Sequence, residues 1–104
     1  MTLGLSDETV ERIVAVLRRY PPVERAVLFG SRAQGNFRPG SDIDLTLVGA
    51  GLTHRTLLHI LDELDDAPIP YRVDLSLFDH MQDPDVRDHI VRRGITFYSR
   101  AAQP

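Results

Sequence analysis

The stretch that decides the fold is GSRAQGNFRPGSDIDL, residues 30–45. Its last four residues alternate between acidic and aliphatic side chains, as in a β-strand, where successive side chains point to opposite faces. Asp42 and Asp44 therefore share one face of the predicted strand, whereas Ile43 and Leu45 share the other. We expect the aliphatic face to pack against helices and the acidic face to remain open.

A second strand of the same design is predicted at residues 72–78, where Asp74 and Ser76 alternate with aliphatic side chains. If Asp74 lies beside Asp42 and Asp44, the three carboxylates repel one another and their ionisation becomes unfavourable. Mg²⁺ relieves this repulsion, because it binds carboxylates together with water and phosphate oxygens. Sites for in-line displacement at phosphorus commonly hold two metal ions about 4 Å apart. The three acids therefore favour a site for phosphoryl or nucleotidyl transfer.

Gly30 and Ser31 form a turn directly after a predicted strand at residues 23–29. A glycine at this position lets the backbone approach a ligand closely. Ser31 offers a hydroxyl and an N–H, and the start of a following helix adds N–H donors for phosphate. An alternating acid pair and a Gly-Ser turn are each common in surface structure. Their combination with a third acid on a later strand indicates a nucleotide site.

The first half of the chain has a clear order of elements. An apolar stripe with helical spacing predicts a first helix, with Ser6 as its N-cap and Pro21-Pro22 as its end. Residues 30–41 are rich in turn formers and can include a short helix. The second strand is predicted at Ile43–Val48 and ends at two glycines.

The second half repeats the alternation of helix and strand. Thr53 is predicted to cap a helix, and Asp83-Pro84 to begin another that runs to about Arg93 and ends at Gly94. Residues 95–99 are predicted as a short strand or an extended tail. The side chains predicted to form the buried stripe of the Thr53-capped helix are Leu57, Leu58, Leu61 and Leu64.

The predicted fold class is α/β (α+β), with a small mixed sheet of three to four strands and helices packed on one face. The strand order is left open by the pattern. The chain has 104 residues, and we expect one domain spanning residues 1–104. We expect a cytoplasmic protein, because no secretion signal and no apolar run of about 20 residues is present.

Composition excludes several classes of chemistry. The chain has no cysteine, which excludes disulfides and thiolate chemistry. It has no lysine either, which excludes a P-loop and Schiff-base catalysis. The net charge of -3 argues against stable binding to nucleic acid.

At residues 30–45 and Asp74 the sequence resembles the nucleotidyltransferase superfamily of DNA polymerase beta. That pattern is Gly-Ser, ten residues, Asp-x-Asp, and a third acid on a later strand, and Gly30-Ser31, Asp42, Asp44 and Asp74 match it. The Gly-Ser-Arg-Ala-x-Gly variant and the short length resemble the minimal nucleotidyltransferases, the MntA-like antitoxins. Gln34 departs from this subfamily, which often has Arg or Lys there.

The resemblance implies a polymerase-beta-like fold and a Mg²⁺-dependent reaction with ATP, with two metal ions. It implies metal binding by Asp42, Asp44 and Asp74, and triphosphate binding by Gly30 and Ser31. Asp74 would also lie nearest the attacking hydroxyl, where a carboxylate can accept the proton. Arg32 lies beside this turn and is a candidate phosphate ligand. The implied partner is a HEPN-type toxin, modified with AMP on a tyrosine hydroxyl.

Two alternatives remain open at the level of sequence. One is an antitoxin that neutralises its partner by docking alone, without catalysis. The other is a nucleotidyltransferase for a small hydroxylated molecule such as an aminoglycoside. The acid triad favours an enzyme, because docking needs no cluster of like charges. The short chain disfavours the small-molecule enzyme, because little sequence remains to form a second substrate pocket.

Overall fold

The computed structural model describes residues 4–102, so residues 1–3 and 103–104 of the predicted domain lie outside the described residues. The elements in chain order are α1 (Asp7–Arg18), β1 (Arg25–Phe29), α2 (Ser31–Gln34), β2 (Ile43–Val48), α3 (His54–Asp66), β3 (Val73–Leu77), α4 (Pro84–Arg93) and β4 (Ile95–Ser99). Short 3₁₀ turns follow at Phe78–His80 and Arg100–Ala102. Within the described part of the chain, no helix is long and apolar enough to cross a membrane.

The helix caps are those expected from the sequence. The Ser6 hydroxyl accepts a hydrogen bond from the N–H of Thr9, and the Thr53 hydroxyl accepts one from Thr56. Asp83 accepts from the N–H groups of Asp85 and Val86, with Pro84 in the first turn. These bonds satisfy N–H groups that have no partner within the helix. The predicted starts of α1, α3 and α4 are therefore confirmed.

The four strands form one mixed sheet in the order β3-β2-β1-β4. β1 pairs antiparallel with β2 and β4, whereas β2 and β3 are parallel. Parallel strands need a crossover connection, and α3 provides it between β2 and β3. This topology confirms a small mixed sheet and places the two acid-bearing strands next to each other.

The core lies between one face of the sheet and the helices α1 and α3. Leu28 of β1 and Leu45 of β2 are fully buried there, together with Ile13 and Leu17 of α1. Ile60 of α3 is also fully buried. These side chains form the main apolar cluster of the described residues.

One helix departs from the expectation that the helices pack on one face. α4 covers part of the opposite face, where Ile90 lines a cavity with Val27 and Val48. Val27 pairs with Thr46 on the face that faces away from the core cluster. The cause is the apolar side chains at this end of the face, which α4 removes from water.

The predicted buried stripe of α3 contains one error. Leu58 is 51% exposed, whereas Ile60, absent from the predicted stripe, is fully buried. Leu57 and Leu61 are half-buried and Leu64 is buried. The observed stripe therefore has the spacing i, i+3, i+4, i+7 of a single helical face, with Ile60 in the second position.

Candidate active site

Asp44 and Asp74 are neighbours across two parallel strands. Their register pairs Ile43 with Val73, Asp44 with Asp74 and Leu45 with Leu75. Adjacent strands lie about 4.8 Å apart, and residues paired in this way project from the same face. Asp42 lies immediately before β2 and has the same parity as Asp44. The structure thus brings the three predicted acids to one end of one face.

Burial separates Asp44 from the other two acids. Asp44 is half-buried, whereas Asp42 and Asp74 are exposed. Burial raises the pKa of the Asp44 carboxyl above its ordinary value, and the charges of Asp74 and Asp42 raise it further. The carboxylate of Asp44 therefore has the most to gain from a cation.

Gly30 lies against the carboxylate of Asp44. It follows Phe29, which pairs with Asp44 across β1 and β2. Its φ of +78° lies in the region that favours glycine, and a Cβ there would lie 2.5 Å from Asp44 Oδ2. Any side chain would strike the carboxylate, so this position requires glycine for two reasons. The sequence had suggested only close approach to a ligand.

Ser31 begins α2, the short helix that follows Gly30. α2 ends at Gly35 with a φ of +81°, and the Asn36 N–H donates to the Ser31 carbonyl at 3.1 Å. Ser31 is half-buried. Because Gly30 lies against Asp44, the Gly30-Ser31 turn is at the edge of the acidic face, as its assignment to a triphosphate requires. That assignment remains a prediction.

Arg32 is buried and has its guanidinium inside the fold. Only 2% of the residue is exposed. Its Nη2 and Nε donate to the carbonyl of Ser41 at 2.7 and 3.2 Å. The guanidinium carbon lies 5.0 Å from the ring centroid of Phe37 and 4.7 Å from that of Tyr71. Arg32 as a phosphate ligand stays a prediction, and these contacts indicate a different use of the side chain.

Phe37 and Tyr71 are contacts that sequence reasoning missed. The sequence pattern relates neither residue to the site. An aromatic residue in a turn-rich loop and another before a strand carry no periodic signal that relates them to Arg32. Only the tertiary fold brings them together.

Asp42, Asp44 and Asp74 are the donor set available for Mg²⁺. Among residues 4–102, no three His, Cys, Asp or Glu side chains are gathered closely enough to form a metal-binding group. The three aspartates share a face without converging on one point, in keeping with their mutual repulsion. Their oxygen donors are nonetheless of the hard type that Mg²⁺ prefers. Because burial and the charges of Asp74 and Asp42 disfavour the charged form of the Asp44 carboxyl, a cation beside Asp44 would offset this cost.

Comparison with solved structures finds toxin–antitoxin complexes. One, described as a toxin-antitoxin with AMP-PNP, is 25% identical with a TM-score of 0.70, over 86% of this chain and 73% of the other. A mutant of the toxin-antitoxin MntA-HpeT is 25% identical with a TM-score of 0.70, over 91% and 74%. A third structure shares the fold at 20% identity and a TM-score of 0.67, over 93% and 75%. It is described as a tri-AMPylated Shewanella oneidensis HEPN toxin in complex with MNT antitoxin.

Comparison with curated proteins finds no match. The family model described as "Polymerase beta, Nucleotidyltransferase" matches residues 11–103, which include Asp42, Asp44, Asp74 and the Gly30-Ser31 turn. The residues that carry the sequence resemblance therefore all lie within the matched residues. The chain belongs to the polymerase beta nucleotidyltransferase family.

Proposed function

We propose that this protein is a Mg²⁺-dependent adenylyltransferase that transfers AMP from ATP to a hydroxyl of a HEPN-type toxin, and so acts as its antitoxin. The observation that carries the proposal is the in-register pair Asp44 and Asp74 beside Gly30. Family membership supports nucleotidyl transfer. The similar complexes with AMP-PNP and with an AMPylated HEPN toxin support the donor and the acceptor.

In this proposal Asp42, Asp44 and Asp74 hold the metal ions, and Gly30 and Ser31 hold the triphosphate. Mg²⁺ would supply charge stabilisation for the phosphates during an in-line displacement. The acceptor oxygen bonds to the α-phosphorus of ATP, the bond from that phosphorus to the bridging oxygen breaks, and pyrophosphate leaves. Asp74 is exposed and accepts the proton of the attacking hydroxyl.

The exposure of two of the three acids supports a macromolecular acceptor. Asp42 and Asp74 both face solvent, so the described residues leave one side of the acidic face open. A transferase must hold the hydroxyl and the phosphorus in line, and a displacement of about 1 Å can cost ~100-fold in rate. A partner protein that brings its own tyrosine can form the missing side of the site.

The test is to incubate the purified protein with ATP, Mg²⁺ and a HEPN-type toxin and to weigh the toxin by intact-mass spectrometry. We expect AMP-sized additions that disappear with EDTA and with Asp44→Asn. Asp62→Asn is the matched control, because Asp62 is an exposed acid on α3, which packs on the opposite face of the sheet. Peptide mapping should place AMP on a tyrosine.

Other outcomes would select a different function. An unmodified toxin that is nevertheless inhibited would support the docking antitoxin. If the two proteins neither bind nor react, the toxin–antitoxin assignment is wrong, and transfer to a small hydroxylated molecule should be assayed instead.

A further inference from the structure

Arg32 connects three segments that meet at the proposed site. It follows Ser31 in the first turn of α2, and its guanidinium donates to the carbonyl of Ser41, the residue before Asp42. It also stacks on Tyr71, which precedes the strand that carries Asp74. The Arg32 side chain therefore connects the Gly30-Ser31 turn with the segments that precede Asp42 and Asp74.

The surroundings of Arg32 leave little room for it to move. Its guanidinium contacts both Phe37 and Tyr71, as cation–π pairs do. Gly4 covers it from the N-terminal side, where a Cβ would lie 2.8 Å from Arg32 Nη1 and 2.3 Å from the Phe37 ring. A planar guanidinium fixed in this way holds its N–H groups in a constant direction.

The segment that Arg32 holds has few other constraints of its own. Residues 36–42 form no helix or strand, and Asn36, Arg38, Pro39 and Gly40 are exposed. Within it, the Arg38 N–H donates to the Ser41 hydroxyl at 2.9 Å and the Ser41 N–H to the Arg38 carbonyl at 3.0 Å. Ile43 then enters the sheet by donating to the Arg72 carbonyl at 2.9 Å. The Ser41 carbonyl that accepts from Arg32 belongs to the peptide group that joins Ser41 to Asp42.

We infer that Arg32 is a positioning residue for nucleotidyl transfer. Its buried guanidinium fixes the Gly30-Ser31 turn relative to the Asp42–Asp44 pair through the Ser41 carbonyl, without touching the nucleotide. The inference rests on the proposed function for the identity of the site. It differs from the prediction that Arg32 binds phosphate, because a guanidinium that is 2% exposed and bonded to Ser41 is directed into the fold.

A matched control exists at the far end of β3. Arg87 also stacks on an aromatic ring, 4.3 Å from the centroid of Phe78, and donates to the carbonyls of Phe78 and Met81 at 2.7 and 3.1 Å. These contacts hold the 3₁₀ turn after β3, at the opposite end of that strand from Asp74. Arg87→Met therefore removes the same kind of contacts away from the site.

The first test measures the metal site without any acceptor, by Mn²⁺ titration with electron paramagnetic resonance. Changes to residues that orient metal ligands commonly weaken metal binding 10–100-fold. We expect Arg32→Met to weaken Mn²⁺ binding by about tenfold or more, whereas Arg87→Met leaves it within about twofold of wild type. Arg32→Lys should behave like Arg32→Met, because an ammonium cannot reproduce the planar stack between two rings. If Arg32→Met folds poorly, Arg32→Lys and Phe37→Leu, which removes one stacking face, carry the test.

The second test separates positioning from phosphate binding. In the AMP-transfer assay, a positioning role predicts a kcat lowered by ~100-fold with little change in the KM for ATP. Loss of a phosphate contact predicts a raised KM for ATP and substantial retention by Arg32→Lys. Unchanged Mn²⁺ affinity in a folded Arg32 variant would overturn the inference. If wild type transfers no AMP, the proposed function fails, and the Mn²⁺ comparison still decides the role of Arg32.

Discussion

The two faces of β2 differ in what burial does for the protein. On the core face, Ile43, Leu45 and Leu47 are almost entirely buried among aliphatic side chains. The other face changes along the strand, from the half-buried Asp44 to the fully buried Thr46 and then to Val48. The core face therefore stabilises the fold along its whole length. The second face holds the proposed site at the Asp44 end and packs against α4 at the Val48 end.

The middle of the second face contains buried polar groups that lower the stability of the fold. Thr46 and Ser76 pair across β2 and β3, and among the described residues neither hydroxyl has a hydrogen-bond partner. A buried polar group without a partner lowers stability. The acidic end carries a second cost, because its carboxylates repel one another. A change on this face should affect reaction and stability in different directions, whereas a change on the core face should affect stability alone.

The largest effect is expected from Asp44→Asn. We expect AMP transfer to fall by more than ~100-fold, as when a group that stabilises charge in the reaction is removed. The free energy of unfolding without metal should stay the same or rise, because one of three like charges is gone. Rate assays and urea unfolding in EDTA measure the two quantities. Full activity would show that Asp44 is not part of the site. An unfolded variant would show that this face is needed for stability in the same way as the core face.

The matched change on the core face is Leu45→Ala. Leu45 is fully buried, and such truncations commonly cost 2–5 kcal/mol, so we expect a loss of about 3 kcal/mol in the free energy of unfolding. Activity per folded molecule should remain near that of wild type, because Leu45 points away from the acids. Urea unfolding and assays at a temperature where the variant is folded test this. A stable variant without activity would show that the core face also controls the reaction.

The contrast between the faces also explains what the sequence could predict. β2 was predicted at Ile43–Val48, its observed range, because strict alternation is a local signal. The assignment of Leu58 to the core was wrong because adjacent leucines in α3 fit more than one helical stripe, and Ile60 was missed. The burial of Arg32 was not predicted, because its contact with Tyr71 joins residues distant in the chain. Local periodicity therefore gave the elements and the acid pair, and tertiary contacts decided the rest.

The pH dependence of stability should separate wild type from Asp44→Asn in the absence of metal. The folded state raises the pKa of Asp44 from 3.8, so it binds this proton more tightly than the unfolded chain does. The stability contributed by that proton is fully present below about pH 3.8 and is lost as the pH rises through the raised pKa. We expect wild type to lose stability relative to Asp44→Asn across this window. Urea unfolding in EDTA at several pH values measures the difference.

Two results bear on this prediction. Mg²⁺ added at neutral pH should restore part of the lost stability in wild type but less in Asp44→Asn, because the cation compensates the same repulsion. Parallel stability curves for the two proteins would mean that the environment of Asp44 does not change its proton affinity.

The smallest effect is expected from Thr46→Val, which replaces a hydroxyl by a methyl group of similar size. Since the Thr46 hydroxyl is buried without a partner, its removal should raise the free energy of unfolding by about 1 kcal/mol. Thr46→Ser is the control, because it keeps the hydroxyl, loses the methyl group and should lower stability. Thermal and urea unfolding of the three proteins measure the order. A Thr46→Val variant less stable than wild type would mean that this hydroxyl is hydrogen-bonded in solution, for example through a water shared with Ser76. The middle of the face would then be a satisfied polar layer, and the cost of this face would lie in the carboxylates alone.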